Sequence, residues 1–184
     1  MEQSAARLWE ETAKDAGKKA EGLRITVQVI FWIVVVMVLV QHVVLPAVAI
    51  LTGNDFSDDA RNYRNWQYLN LHLIEAAPLV ALAWGLWDAQ RYLGIVASGG
   101  LFEAASMKMI AGIGDALWIA ALWLAVFAPS LTEFVQDTGV FAIALEPATL
   151  VLGVLGLTLS AISRTLARVL ETASRLRAEN EAFV

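Results

Sequence analysis

The stretch Ile25–Leu51 reads ITVQVIFWIVVVMVLVQHVVLPAVAIL, without one formal charge, and it decides the fold class. A helix rises about 1.5 Å per residue, so about 20 such residues cross a hydrocarbon core about 30 Å thick. Gln28, Gln41 and His42 interrupt the run without breaking it. Ala47-Val48-Ala49 has the small-residue spacing of a signal-peptidase site. The polar region ahead of the run is too long for a leader, however, and the run exceeds a leader's apolar core, so the expectation is a retained anchor.

Working outward, three further stretches meet the same length requirement. They run from about Leu69 to Trp87, from Met109 to Ala128, and from Val140 to Ile162. The second contains Glu75 and Pro78, the third Asp115, and the fourth Glu146 beside Pro147. The expected architecture is all-α: a four-helix transmembrane bundle over 25–162, with amphipathic helices at 1–24 and 163–184.

Composition agrees with lipid as the solvent. Hydrophobic residues make up 58% of the 184 and charged residues only 17%, too little polar shell for a soluble globule of this size. The net charge of −5 offers no basic surplus for a phosphate backbone, so direct nucleic-acid binding is not expected. The absence of cysteine excludes disulfides, thiolate metal sites and thiol catalysis.

Orientation is read from lysine and arginine, which favour cytoplasmic loops. Of the 13 basic residues, 11 fall in the N-terminal segment, the connection between spans two and three, or the C-terminal segment. Only Arg61 and Arg64 fall on the other side, beside Asp55, Asp58 and Asp59. Both termini are expected on the cytoplasmic side of the membrane.

Between helices in lipid the hydrophobic effect is silent, and small residues mark close approach. Gly112, Ala116 and Ala120 recur every four residues in the third span, and Gly156 and Ser160 do so in the fourth. These are expected to pack within the bundle, with a contact between copies as the alternative.

Ionisable groups inside a membrane are costly and need partners. His42, His72, Glu75, Glu146 and Asp115 are expected to form an intramembrane polar cluster. His72 and Glu75, three residues apart, share one helix face. Three chemistries fit such a cluster. It can be a hydrogen-bonded packing element with raised carboxyl pKa values. It can line a path for a proton, ion or small solute. It can hold a divalent metal or a haem on His42 and His72, although the Glu-x-x-His order of di-iron bundles is reversed here. No cofactor is required by the first reading.

Beyond the fourth span, Ile162, Leu166, Val169, Ala173 and Leu176 recur at intervals of four, three, four and three. This heptad-like stripe suits a partner helix, another copy of the chain, or the membrane surface. A shorter counterpart runs through Ala5, Leu8, Trp9, Ala16 and Leu23. No phosphate loop, nucleophile elbow or His-Glu-x-x-His motif is present, and no enzyme is expected.

Two stretches carry a resemblance. Gly99-Gly100-Leu101-Phe102 is followed twelve residues later by Gly114, and the chain ends Arg175-Leu176-Arg177-Ala178-Glu179-Asn180-Glu181-Ala182-Phe183-Val184. Both resemble the YoaS-like family of small four-span bacterial membrane proteins, a domain of unknown function. This chain departs from the pattern in carrying Lys108 alone before the third span, Phe183 where threonine is usual, and a long N-terminal helix. The resemblance implies pairing with a small cytoplasmic DNA-binding regulator and supplies no catalytic residues. The expected function is therefore a regulatory or signalling membrane component that engages a cytoplasmic partner, or its own copies, through its C-terminal helix.

Overall fold

A computed structural model describes residues 2–52, 65–100, 103–136 and 138–182; the side chains before Asp15, those of Ala16, Asn65 and Trp66, and several after Leu176 lie outside that description. The described residues form helices and no strand. Helix α1 (Glu2–Leu39) passes through a π turn (Val40–Val44) into α2 (Leu45–Thr52). Helix α3 covers Asn65–Ala97. Helix α4 (Ala104–Leu122) passes through a second π turn (Trp123–Phe127) into α5 (Ala128–Val135), and α6 covers Pro147–Ala182. This gives four long helical rods, each with a stretch apolar enough to cross a membrane. The N-terminal stripe residues Ala5, Leu8, Trp9 and Ala16, and the charged connection 53–64, lie outside the described side chains.

Prolines shape three of the rods. A proline has no N–H for the carbonyl four residues back, so Pro46, Pro78 and Pro129 release the carbonyls of His42, Ile74 and Ala125. Both π turns sit just ahead of such a proline. In each, the closing N–H reaches five residues back: Leu45 to Val40, and Ala128 to Trp123. Partners replace the lost bonds at two sites. Trp123 donates its indole N–H to the Ile74 carbonyl at 2.9 Å, and Ala144 donates its backbone N–H to the Ala125 carbonyl at 2.8 Å.

Pro147 acts differently. It opens α6, where its missing N–H costs nothing, and the Glu146 carbonyl accepts the Leu150 N–H at 3.0 Å. The fourth apolar run is therefore not one helix from Val140, as its hydropathy suggests. Residues 138–146 are non-helical and double back along α5 and the second π turn, held by the Ala144 bond and by Ser130 Oγ donating to the Ala142 carbonyl. Irregular backbone beside an apolar helix needs such partners.

The rods of the bundle pack in chain order, each antiparallel to its neighbour: α1 on α3, α3 on α4, and α4 on α6. Gly17 lies against the Ala97 carbonyl, and Phe31 meets Trp87 at 5.6 Å between ring centroids. Gly85 faces Ala116 across α3 and α4. The closest approach joins α4 and α6, where Gly114 faces Ser160 and Gly156 faces Trp118. A Cβ on Gly114 would sit 2.6 Å from the Ser160 nitrogen, so only glycine allows this crossing. The outer flanks of α1 and α6 carry exposed valines, leucines and isoleucines, the surface expected against acyl chains.

Candidate functional site

The polar residues do not gather in one cluster. They divide between two centres, and Glu146 belongs to neither.

The first centre lies where α1 faces α3, toward the end of the bundle away from the termini. The π turn carries His42, and α3 supplies Tyr68, His72 and Glu75. The His42 and His72 rings are 5.8 Å apart at 60°, and the buried Tyr68 ring meets His72 edge-on at 4.7 Å. Nδ1 of His42 and Nδ1 of His72 are both buried without a hydrogen-bond partner. Glu75 Oε2 faces His72 Nδ1 at 3.8 Å, beyond hydrogen-bond reach. One ligand atom from each of His42, His72 and Glu75 lies within 4.8 Å of the others. The Glu75 side chain is 66% exposed and that of His72 26%.

The second centre lies between α3, α4 and α6, nearer the termini. Asp115 accepts Ser160 Oγ–H at 2.7 Å on Oδ1, and Arg164 donates to its Oδ2 at 2.5 Å. Arg164 keeps contact with solvent while its guanidinium reaches back along α6, the behaviour of a long basic side chain near a membrane boundary. Next to this pair, Asp88 is buried against α4, and its carboxylate fills the space where a side chain on Gly112 would stand. Asp115 is thus an ion-pair partner at the α4–α6 seam rather than a member of the histidine centre.

Glu146 is exposed and precedes α6 directly. An acidic group there complements the positive end of the helix dipole, which accounts for its place without a role in a polar cluster.

The small residues all pack within the chain. Gly112 and Ala116 face α3, Ala120 is fully enclosed, and Gly156 and Ser160 face Gly114. Sequence spacing singled out the first five and passed over Gly114 as a packing residue, because it breaks the interval of four. Asp88 was passed over because the second span was read as ending at Trp87; the helix continues to Ala97.

Past Ser163, α6 continues without a break to Ala182. Its inward face, Ser163 and Ala167, is buried, and Glu171 on the same side pairs with Lys108 of α4 at 2.5 Å. That hydrogen bond first, and the ammonium charge with it, hold the Glu171 carboxyl below its ordinary value. Leu166, Val169, Ala173 and Leu176 lie on the other side, all exposed, with Val169 at 59%. No family model, no curated protein and no solved structure matches this chain.

Proposed function

We propose that the protein is a non-enzymatic membrane component of regulatory or signalling type that associates through the part of α6 beyond Ser163, a second copy of the chain being its first partner. The exposed stripe of Leu166, Val169, Ala173 and Leu176 carries this reading. Its intervals place the four residues at alternating a and d positions, the seam of a two-stranded coiled coil. Copies in one membrane share an orientation, so their α6 extensions are parallel, as that seam requires. Two heptads are marginal for a free peptide. Confinement to a bilayer raises the effective concentration of the second helix and offsets that weakness. Gly156, Ser160, Ser163 and Ala167 are occupied by contacts to α4 or buried in the bundle, which leaves the opposite side of the helix for a partner.

The distribution of lysine and arginine supports an orientation with both termini in the cytoplasm, and the resemblance of the chain's ending supports a bacterial inner membrane and a cytoplasmic regulator as a further partner. In this scheme the bundle anchors and positions α6, and pairing of the stripe is the event that a regulator reads.

Co-purification of two differently tagged copies from one membrane tests the proposal. Replacing Leu166, Val169 and Leu176 together by serine is expected to abolish recovery of the second copy while leaving each copy folded. Unchanged recovery would contradict it.

A further inference from the structure

We infer that His42, His72 and Glu75 form a binding site for one first-row divalent transition ion of the zinc type. This inference stands whether or not the α6 extensions associate.

Chemistry and geometry agree on the ion. Two imidazoles and one carboxylate are a borderline-soft donor set, suited to zinc and its neighbours and poorly suited to calcium or magnesium, which want oxygen. The 3.8 Å between His72 Nδ1 and Glu75 Oε2 is too long for a hydrogen bond. It is shorter than the sum of one metal–nitrogen and one metal–oxygen bond, about 4.1 Å, so a single ion can bind both atoms at once. With His42 included, one donor atom from each of the three residues lies within 4.8 Å of the others. Tetrahedral coordination at bonds of about 2.1 Å sets donors about 3.4 Å apart, a contraction that small side-chain rotations supply.

Two further observations point the same way. Buried polar atoms are nearly always partnered, yet both histidine Nδ1 atoms are buried and bare. Glu75 exposes its carboxylate from the side of a helix apolar enough to cross a membrane, where an uncompensated charge is expensive. One bound cation answers both needs. Three protein ligands leave a fourth position, and the exposure of Glu75 opens that position to the surroundings. The π turn holds His42 opposite His72, a place where such turns recur at functional sites.

The test uses the full chain purified in detergent under metal-free conditions and titrated with Zn²⁺, with Co²⁺ as a coloured substitute. One equivalent per chain is expected, with a cobalt spectrum of nitrogen and oxygen ligation. Glu75→Gln alters a largely exposed side chain and is expected to fold normally while weakening zinc binding. Losing a ligand should cost more than the roughly 10–100-fold that loss of a supporting hydrogen bond costs. His42→Ala and His72→Ala, each checked for helicity and a single elution peak, are expected to lose stoichiometric binding, and Glu146→Gln to keep it. The inference is overturned if the unmodified chain binds no stoichiometric zinc, if Glu75→Gln binds as tightly as the unmodified chain, or if the chain carries a haem, seen as a Soret band, on these histidines.

Discussion

Trp123 donates its indole N–H to the carbonyl of Ile74, the carbonyl that Pro78 leaves without a helical partner. A proline in one rod is thereby matched by a tryptophan in the next. The pairing fixes the register of α3 against α4 and gives a polar reason for a tryptophan within an apolar rod. Ala144 and the Ala125 carbonyl repeat the arrangement after Pro129, with backbone in place of a side chain.

Trp123→Phe should therefore lower stability by about 1 kcal/mol, within the range measured for polar contacts between membrane helices. In a Pro78→Ala background the Ile74 carbonyl regains its own helical N–H, and the same change should cost much less. Denaturant unfolding of the four chains of that cycle in detergent checks the coupling; additive effects would show that the two residues act independently.

Glycine substitutions should separate by what stands in front of them. Gly114→Ala and Gly156→Ala drive a methyl into the facing backbone, at 2.6 Å in each case. Neither backbone can swing aside, so each change should cost about 2 kcal/mol or more, in the range for overpacking. Gly22→Ala meets nothing within 4 Å in α1 and should be stabilising by up to about 1 kcal/mol from helix propensity alone. Thermal unfolding of the three variants side by side decides it.

The Asp115–Arg164 pair has one partly buried and one largely exposed partner, with side chains 22% and 60% exposed. Arg164→Gln should cost about 1 kcal/mol or less, as exposed ion pairs do. After Asp115→Asn the same change should cost close to nothing, because the pair is already broken, and denaturant unfolding of the four chains checks it. Glu146→Gln, outside both polar centres, should stay within about 0.5 kcal/mol of the unmodified chain.

Length and hydropathy made four membrane-length helices legible, because a run such as Ile25–Leu51 has few other ways to be stable. The same measure misplaced the start of the last helix. Residues 140–146 are as apolar as the rest of the run, but Pro147 is a helix opener and its predecessors are free to bend back. His72 and Glu75 could be placed on one face from their spacing, whereas Asp115 could not be separated from them. Its separation depends on the antiparallel register of α4 and α6, which Gly114, Gly156 and Ser160 set through close approach. Asp88 and Tyr68 became visible only when helices faced each other, since neither carries a local pattern.

The central claim, association through the α6 stripe, is tested most directly by a scan of single cysteines, which the cysteine-free chain allows without background. Each position from Ile162 to Leu176 would be replaced in turn and oxidised in native membranes. A disulfide needs Cα atoms within about 7 Å, so yield reports which side of the helix meets its copy. The account predicts dimer bands that peak at positions 166, 169, 173 and 176 and fall away at 163, 167 and 171. A flat profile, or no dimer at any stripe position, would contradict it.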